Sequence, residues 1–168
     1  LVTGELSDWI SDMPLFKYRY FYILIVLVMM YILLAILSMK FSSHPQNLVN
    51  GKLTEMTYPD CLIHKLEYVS TFHACNSSII GFCLIYTESY NFNRQTTNLE
   101  YLMLCNSCAY FISDSFWGLY YWVYELSDAV HHSTVLSLLL ITLCGKYGGS
   151  ALCTGILFAE VSNPLYMY

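Results

Sequence analysis

The chain has few charged residues. Only 11% of its 168 residues are Asp, Glu, Lys or Arg, whereas about a quarter of the residues in an ordinary soluble domain are charged. The seven Lys and Arg residues are scattered singly and form no basic patch of the kind that binds nucleic acid. The sequence therefore predicts no nucleic-acid partner.

The chain also lacks a recognisable metal or cofactor motif. Its histidines show neither the H-x-x-x-H nor the H-x-x-E-H spacing of zinc sites. Cys105 and Cys108 form one C-x-x-C, but there is no second pair, and this one lies within an apolar run. We interpret both thiols as small packed side chains, and we expect no metal and no cofactor.

Apolar and aromatic residues are abundant instead. Hydrophobic residues make up 57% of the chain and aromatic residues 17%, and the mean hydropathy is +0.49. A membrane span requires about 20 mostly apolar residues, and about five segments approach this length. We therefore predict an all-α, polytopic transmembrane helical bundle. The predicted spans are 20–39, 66–86, 101–124, 130–147 and a fifth that begins near Ser150 and is interrupted at Pro164.

The remaining segments complete the predicted organisation. Residues 1–19 are acidic, with apolar residues spaced for a short amphipathic helix at the membrane surface, and residues 20–168 form the bundle. Residues 41–64 are predicted to be a polar loop. Only about five residues connect the third and fourth spans, so these spans must be antiparallel neighbours. With alternate loops on the same side of the membrane, Lys and Arg are divided four to three between its two sides, which leaves the orientation of the bundle in the membrane undecided.

Ionisable residues occur inside four of the predicted spans. They are His73, Asp114, the adjacent pair His131 and His132, and Glu160. Such groups cost several kcal/mol within the hydrocarbon layer unless they are paired or functional. Adjacent helical residues point about 100° apart, so we expect at most one of the paired histidines to face a cavity. Two interpretations stay open: a lipid-facing or proton-handling cavity, and hydrogen bonds that merely hold the helices together.

Three segments resemble the TLC-domain family, the membrane proteins related to ceramide synthases. The first is Glu67-Tyr-Val-Ser-Thr-Phe-His73-Ala, which continues to Gly81. The second is Ala109-Tyr-Phe-Ile-Ser-Asp114, followed by Tyr-Tyr-Trp at 120–122. The third is Asp128-Ala-Val-His131-His132, followed by Tyr147-Gly-Gly149 and then Glu160-Val-Ser-Asn-Pro164. Together they make residues 66–168 the TLC-like region.

The resemblance implies a helical bundle around a cavity that accepts an acyl chain. It also implies that His73, Asp114, one of the paired histidines and Glu160 face that cavity. In the ceramide-synthase branch a His pair acts with a downstream acidic motif, and this chain has Glu160-Val-Ser-Asn-Pro164 there instead. The chain therefore resembles the non-synthase branch. Relative to the family, we expect a bundle that is shortened by two spans at its C-terminal end.

Three functions follow as hypotheses. The first is a protein that binds, senses or handles a membrane lipid or acyl chain, without catalysis. The second is an accessory subunit of a large membrane complex, with other membrane-protein subunits as partners. The third is an N-acyltransferase of the ceramide-synthase kind, in which His131 and His132 are the candidate catalytic residues. The expected location is the endoplasmic reticulum or the mitochondrial inner membrane.

Overall fold

The described part of the chain is a bundle of five α-helices. The computed structural model describes residues 12–13, 19–41, 46–49, 52–55, 57–88, 91 and 93–166. The predicted amphipathic segment 1–19 lies outside these residues, apart from 12, 13 and 19. The helices are α1 (Tyr20–Phe41), α2 (Tyr58–Thr87), α3 (Asn98–Tyr120), α4 (Leu126–Cys144) and α5 (Gly149–Tyr166).

The connection between α1 and α2 contains a β-hairpin. Strands β1 (Gln46–Val49) and β2 (Lys52–Glu55) pair in antiparallel fashion, with Val49 opposite Lys52. The prediction of a polar loop over 41–64 is therefore wrong. The sequence carried a signal for the hairpin, because Asn-Gly at 50–51 is a typical two-residue hairpin connection. Helix α2 also begins earlier than predicted, with Pro59 in its first turn, where proline is favoured.

Capping residues set the start of α3 and of α4. The Thr97 hydroxyl accepts a hydrogen bond from the Glu100 backbone N–H, and Glu100 in turn accepts one from the Thr97 N–H. Glu125 and Asp128 form the corresponding box at α4. Such reciprocal pairs satisfy backbone donors that have no partner inside the helix. Both helices therefore begin three or four residues before the predicted spans, whose starts followed hydropathy alone.

Helix α3 occupies the centre of the bundle. It packs against each of the other four helices, and every residue from Met103 to Tyr110 is buried. Because its neighbours cover it, α3 can carry polar side chains such as Asn106 and Ser107 without exposing them to lipid. Residues 121–125 join it to α4, so the predicted length of the connection is confirmed, but it lies four residues earlier than predicted because α3 ends at Tyr120 and not at 124. The two helices are antiparallel as predicted, since Tyr101 near the start of α3 donates to the Gly145 carbonyl just after the end of α4.

Three of the described helices are long and apolar enough to cross a membrane. They are α1, α2 and α4, while the apolar part of α5 is shorter. Their outer faces carry exposed apolar side chains, among them Val26 and Ile79. Lipid contact explains such faces, which would be unfavourable in water. The chain is therefore membrane-associated and helical, and α3 and α5 complete the bundle without meeting the same criterion.

Helices α2 and α5 approach closely at a glycine. A Cβ atom built at Gly81 would lie 2.7 Å from Cδ1 of Leu157 and 3.0 Å from its Cβ. Small residues allow membrane helices to pack at short distance. This contact holds α5 against α2 and brings the polar residues of the two helices within reach of each other.

Candidate functional site

A buried hydrogen-bond network lies midway along the bundle. His73 on α2 is fully buried, and its Nδ1 is 3.2 Å from the hydroxyl of Tyr31 on α1. The Tyr31 hydroxyl donates to Oδ1 of Asn106 on α3 at 2.9 Å. Asn76 donates to the same oxygen at 3.0 Å, and the Asn106 amide donates to the Ser77 hydroxyl at 3.1 Å. The network thus joins three helices through one amide.

Glu160 extends this network onto α5. One of its carboxylate oxygens is 3.4 Å from Nε2 of His73, and the residue is 6% exposed. The imidazole also stacks on the Tyr110 ring, with centroids 4.1 Å apart and planes 6° from parallel. Nε2 faces the carboxylate, whereas Nδ1 faces the Tyr31 hydroxyl and the Asn106 amide nitrogen, which is 3.4 Å away. Each polar edge of the buried ring therefore has a partner, as burial requires.

A second polar cluster lies nearer the connection between α3 and α4. The Tyr124 hydroxyl donates to Oδ2 of Asp114 and is 3.0 Å from Nδ1 of His132. The same imidazole nitrogen is 3.4 Å from Asp114 Oδ2. Tyr124 lies outside the helices, and burial together with the neighbouring Asp114 carboxylate raises the pKa of its phenol. The phenol therefore stays protonated and donates to Asp114, while Nδ1 of His132 lies against the same hydroxyl group.

A cavity of about 440 Å³ connects the two clusters. Its polar wall comes from Glu160 and Tyr110 of the first cluster, His132 of the second, and His131. A Cβ built at Gly155 of α5 would meet no atom within 4 Å, which shows open space at that point. The remaining lining residues are Ser70, Phe111, Val135, Leu138, Leu152, Ile156 and Ala159.

The structure brings all five sequence-predicted residues to this region. His131, His132 and Glu160 line the cavity, while His73 contacts Glu160 and Asp114 contacts His132. We expected at most one histidine of the pair to face a cavity, but both do. The cavity is wide enough to accept side chains that point about 100° apart.

Sequence reasoning missed residues that bind these five together. Tyr31 carries the only hydroxyl in the apolar run 23–37, and that isolation could have marked it. Asn106 was also missed, although it is a polar amide in a segment predicted to span the membrane. The sequence marks Tyr124 only as one of several interfacial aromatic residues, whereas it links two ionisable residues, Asp114 and His132.

The arrangement can bind a ligand through hydrogen bonds as well as apolar contact. His132 is oriented at Nδ1 by Tyr124 and Asp114, which leaves Nε2 for a ligand in the cavity. Glu160 adds an acceptor on the opposite helix. Within the described ranges, no group of three or more His, Cys, Asp or Glu residues is placed to hold a metal ion.

Comparison with known proteins found no matching family model, no similar curated protein and no similar solved structure.

Proposed function

We propose that this chain is an integral membrane protein that binds an acyl chain or membrane lipid in the cavity between α3, α4 and α5. The observation that carries the proposal is the cavity itself. Its volume of about 440 Å³ falls in the range of small-molecule sites, about 300–1,000 Å³. Apolar residues form more than half of its wall, and two histidines, a glutamate, a tyrosine and a serine supply the polar groups that can orient a ligand.

The packing of α4 supports access from the surrounding membrane. Within the described chain, the backbone of this helix packs mainly on α3, approaches α5 at only a few residues and comes close to neither α1 nor α2. Only 11% of its apolar segment is buried. The gap between α4 and α5 therefore provides a lateral path by which a lipid chain enters the cavity without crossing water.

The TLC-like segments agree with this proposal. They contribute His73, Asp114, His131, His132 and Glu160, all of which lie at the cavity or one contact away from it. The proposal includes membership of the non-synthase branch of that family and binding without reaction. A location in the endoplasmic reticulum or the mitochondrial inner membrane belongs to the same proposal and rests on the resemblance alone.

A matched pair of α5 variants tests the proposal. Gly155→Leu fills the open space in the cavity, whereas Ala151→Leu adds a similar side chain at an exposed position of the same helix that is not part of the cavity lining. Leu has a much higher helix propensity than Gly and one close to that of Ala, so neither change should disrupt α5. The measurement is photo-crosslinking of a diazirine-labelled fatty acid to the full chain in lipid nanodiscs.

We expect Gly155→Leu to reduce the crosslinked fraction several-fold and Ala151→Leu to leave it at the wild-type level. Peptide mapping should place the wild-type adduct on α4 or α5. Equal crosslinking in all three proteins would show that the fatty acid contacts only the outer surface, and the proposed function would then be wrong.

A second candidate function is favoured by the outer face of α4. Ser133, Thr134 and Ser137 are exposed there, although α4 is one of the helices apolar enough to cross a membrane. Small hydroxyl residues are enriched where membrane helices pack together, so a partner subunit would explain this face. Replacing Ser133 and Ser137 by Leu should then release the chain from a larger complex on native gels, while Ala151→Leu should not.

A further inference from the structure

A second apolar groove lies between α1 and α2, away from the cavity. Its volume is about 570 Å³, and it is lined by residues from the last two turns of α1 and from α2. From Leu34 to Phe41 the lining extends about 10 Å along the helix axis, at 1.5 Å per residue. Both helices are long and apolar enough to cross a membrane, so the groove faces the hydrocarbon. The other lining residues are Leu37, Ser38, Tyr68, Val69 and Phe72.

Two lysines lie at the rim of this groove, where α1 ends. Lys40 is exposed, and its Nζ lies 5.5 Å from the ring centroid of Phe41, a lining residue. Lys65 is 7% exposed, and its Nζ donates to the Met39 carbonyl at 3.1 Å. The Lys65 carbonyl accepts a hydrogen bond from Ser38, another lining residue. Two positive charges are therefore fixed at one end of an apolar channel.

We propose that this groove binds an anionic phospholipid. An acyl chain fills the apolar channel, and the phosphate lies against the exposed Lys40 at the membrane surface, where the charge of the buried Lys65 adds to the attraction. Lys65 also offsets the negative end of the α1 dipole through its contact with the Met39 carbonyl, which would otherwise repel an anion. Neither lysine forms an ion pair with a carboxylate of the described residues, so these residues do not neutralise the positive charge at this end of the groove. The exposed Lys40 ammonium can contact a lipid headgroup directly, whereas the buried Lys65 acts only through its charge. Charge complementarity thus favours an anionic lipid over a neutral one.

The position of Tyr68 supports placing the lysine end of the groove at the membrane interface. Its side chain lines the groove and is half exposed, and its ring contacts His64 at 5.6 Å between centroids. Tyrosine is enriched where the hydrocarbon meets the headgroups. The nearby Glu67 carboxylate contacts His64 at 2.9 Å and lines a different pocket. Its negative charge is therefore directed away from the proposed phosphate position.

Two positions on α1 allow a direct test. A photoreactive benzoylphenylalanine replaces Leu37, which lines the groove, or Leu33, which is exposed on α1 but outside the groove lining. The full chain is reconstituted in vesicles of equal parts phosphatidylcholine and phosphatidylglycerol and irradiated, and the lipid adducts are identified by mass spectrometry. We expect phosphatidylglycerol to be enriched among the adducts at position 37 and not among those at position 33.

Charge variants then separate a specific site from general surface attraction. A lysine near a membrane surface contributes enough to change anionic-lipid binding about five-fold. Lys40→Gln should therefore lower the phosphatidylglycerol enrichment at position 37 about five-fold. Lys146 is an exposed lysine at the opposite end of the bundle, so Lys146→Gln should not change the enrichment. Lys65 is left intact because it also caps α1.

Three results would overturn the inference. The first is equal phosphatidylglycerol content at positions 37 and 33, and the second is an equal effect of the two lysine variants. The third is a protein adduct at position 37 in native membranes, which would mean that a partner helix covers the groove. None of these outcomes depends on the cavity between α3, α4 and α5, so the two proposals fail or stand separately.

Discussion

Removal of Arg94 should destabilise the end of the bundle where α3 begins. Its guanidinium donates to both carboxylate oxygens of Glu100, at 3.0 and 2.9 Å, and lies 3.0 Å from a Glu88 oxygen. Glu100 is 2% exposed. In Arg94→Ala the buried carboxylate keeps the backbone N–H of Thr97 but loses the cation that offsets its burial.

The geometry sets the size of the effect. Breaking a buried ion pair by removing one partner costs about 3–5 kcal/mol. The Arg94 side chain is 21% exposed, and a small cavity of about 140 Å³ borders the group, so water can partly solvate the carboxylate left behind. We therefore expect a loss near the lower limit, about 3 kcal/mol, or more than a hundredfold in the unfolding equilibrium.

Reversible unfolding by SDS in mixed micelles, followed by circular dichroism, measures this loss. Lys146→Ala, an exposed change at the same end of the bundle, serves as the control and should have little effect. Adding Glu100→Gln to Arg94→Ala should recover part of the stability, because a neutral amide is less costly to bury than an unpaired carboxylate. A loss below about 1 kcal/mol, typical of exposed pairs, would show that Arg94 acts only as a surface charge.

Two further predictions use the same unfolding measurement. Tyr31→Phe removes a buried hydroxyl from the central network and should lower the free energy of unfolding by about 1 kcal/mol. Tyr22 is 67% exposed, so Tyr22→Phe should leave the stability unchanged. Equal effects of the two changes would refute a structural role for the network. Gly81→Ala should destabilise by about 1–3 kcal/mol because the added methyl group overpacks the contact with α5, whereas Gly155→Ala should be neutral or stabilise by up to about 1 kcal/mol. The reverse order would contradict the packing described here.

Hydropathy located the helices well but not their ends. The start of α1 at Tyr20 agrees with the prediction, whereas α2 begins at Tyr58 and not near Leu66. A hydropathy window detects only the part of a helix that lies in the hydrocarbon layer. The helix itself continues beyond that part wherever its backbone hydrogen bonds can be satisfied. The signals for these ends are local: Pro59 marks the first turn of α2, and Thr97 with Glu100 caps α3.

The candidate site was predictable as a set of residues but not as two clusters. Ionisable groups within apolar spans identified His73 and Glu160, because such groups are costly unless they are used. The sequence did not show that His73 pairs with Glu160 while His132 pairs with Asp114, since these contacts depend on helix rotation. Neutral partners such as Tyr31 were missed because a tyrosine carries no comparable penalty and does not stand out by charge.

A polar stripe on α3 explains why both clusters are centred on this helix. Asn106, Tyr110 and Asp114 recur every four residues and so lie on one face, over about 12 Å of the helix axis. Asn106 and Tyr110 contact His73 on α2, and Asp114 contacts His132 on α4. The stripe lowers the hydropathy of α3, which would make it a poor span on its own, and it requires neighbours that offer polar partners. These contacts hold α2 and α4 against α3, and the hydrogen bond from Tyr31 to Asn106 holds α1 against the same stripe. The cavity forms where these partners only partly fill the space beside the stripe.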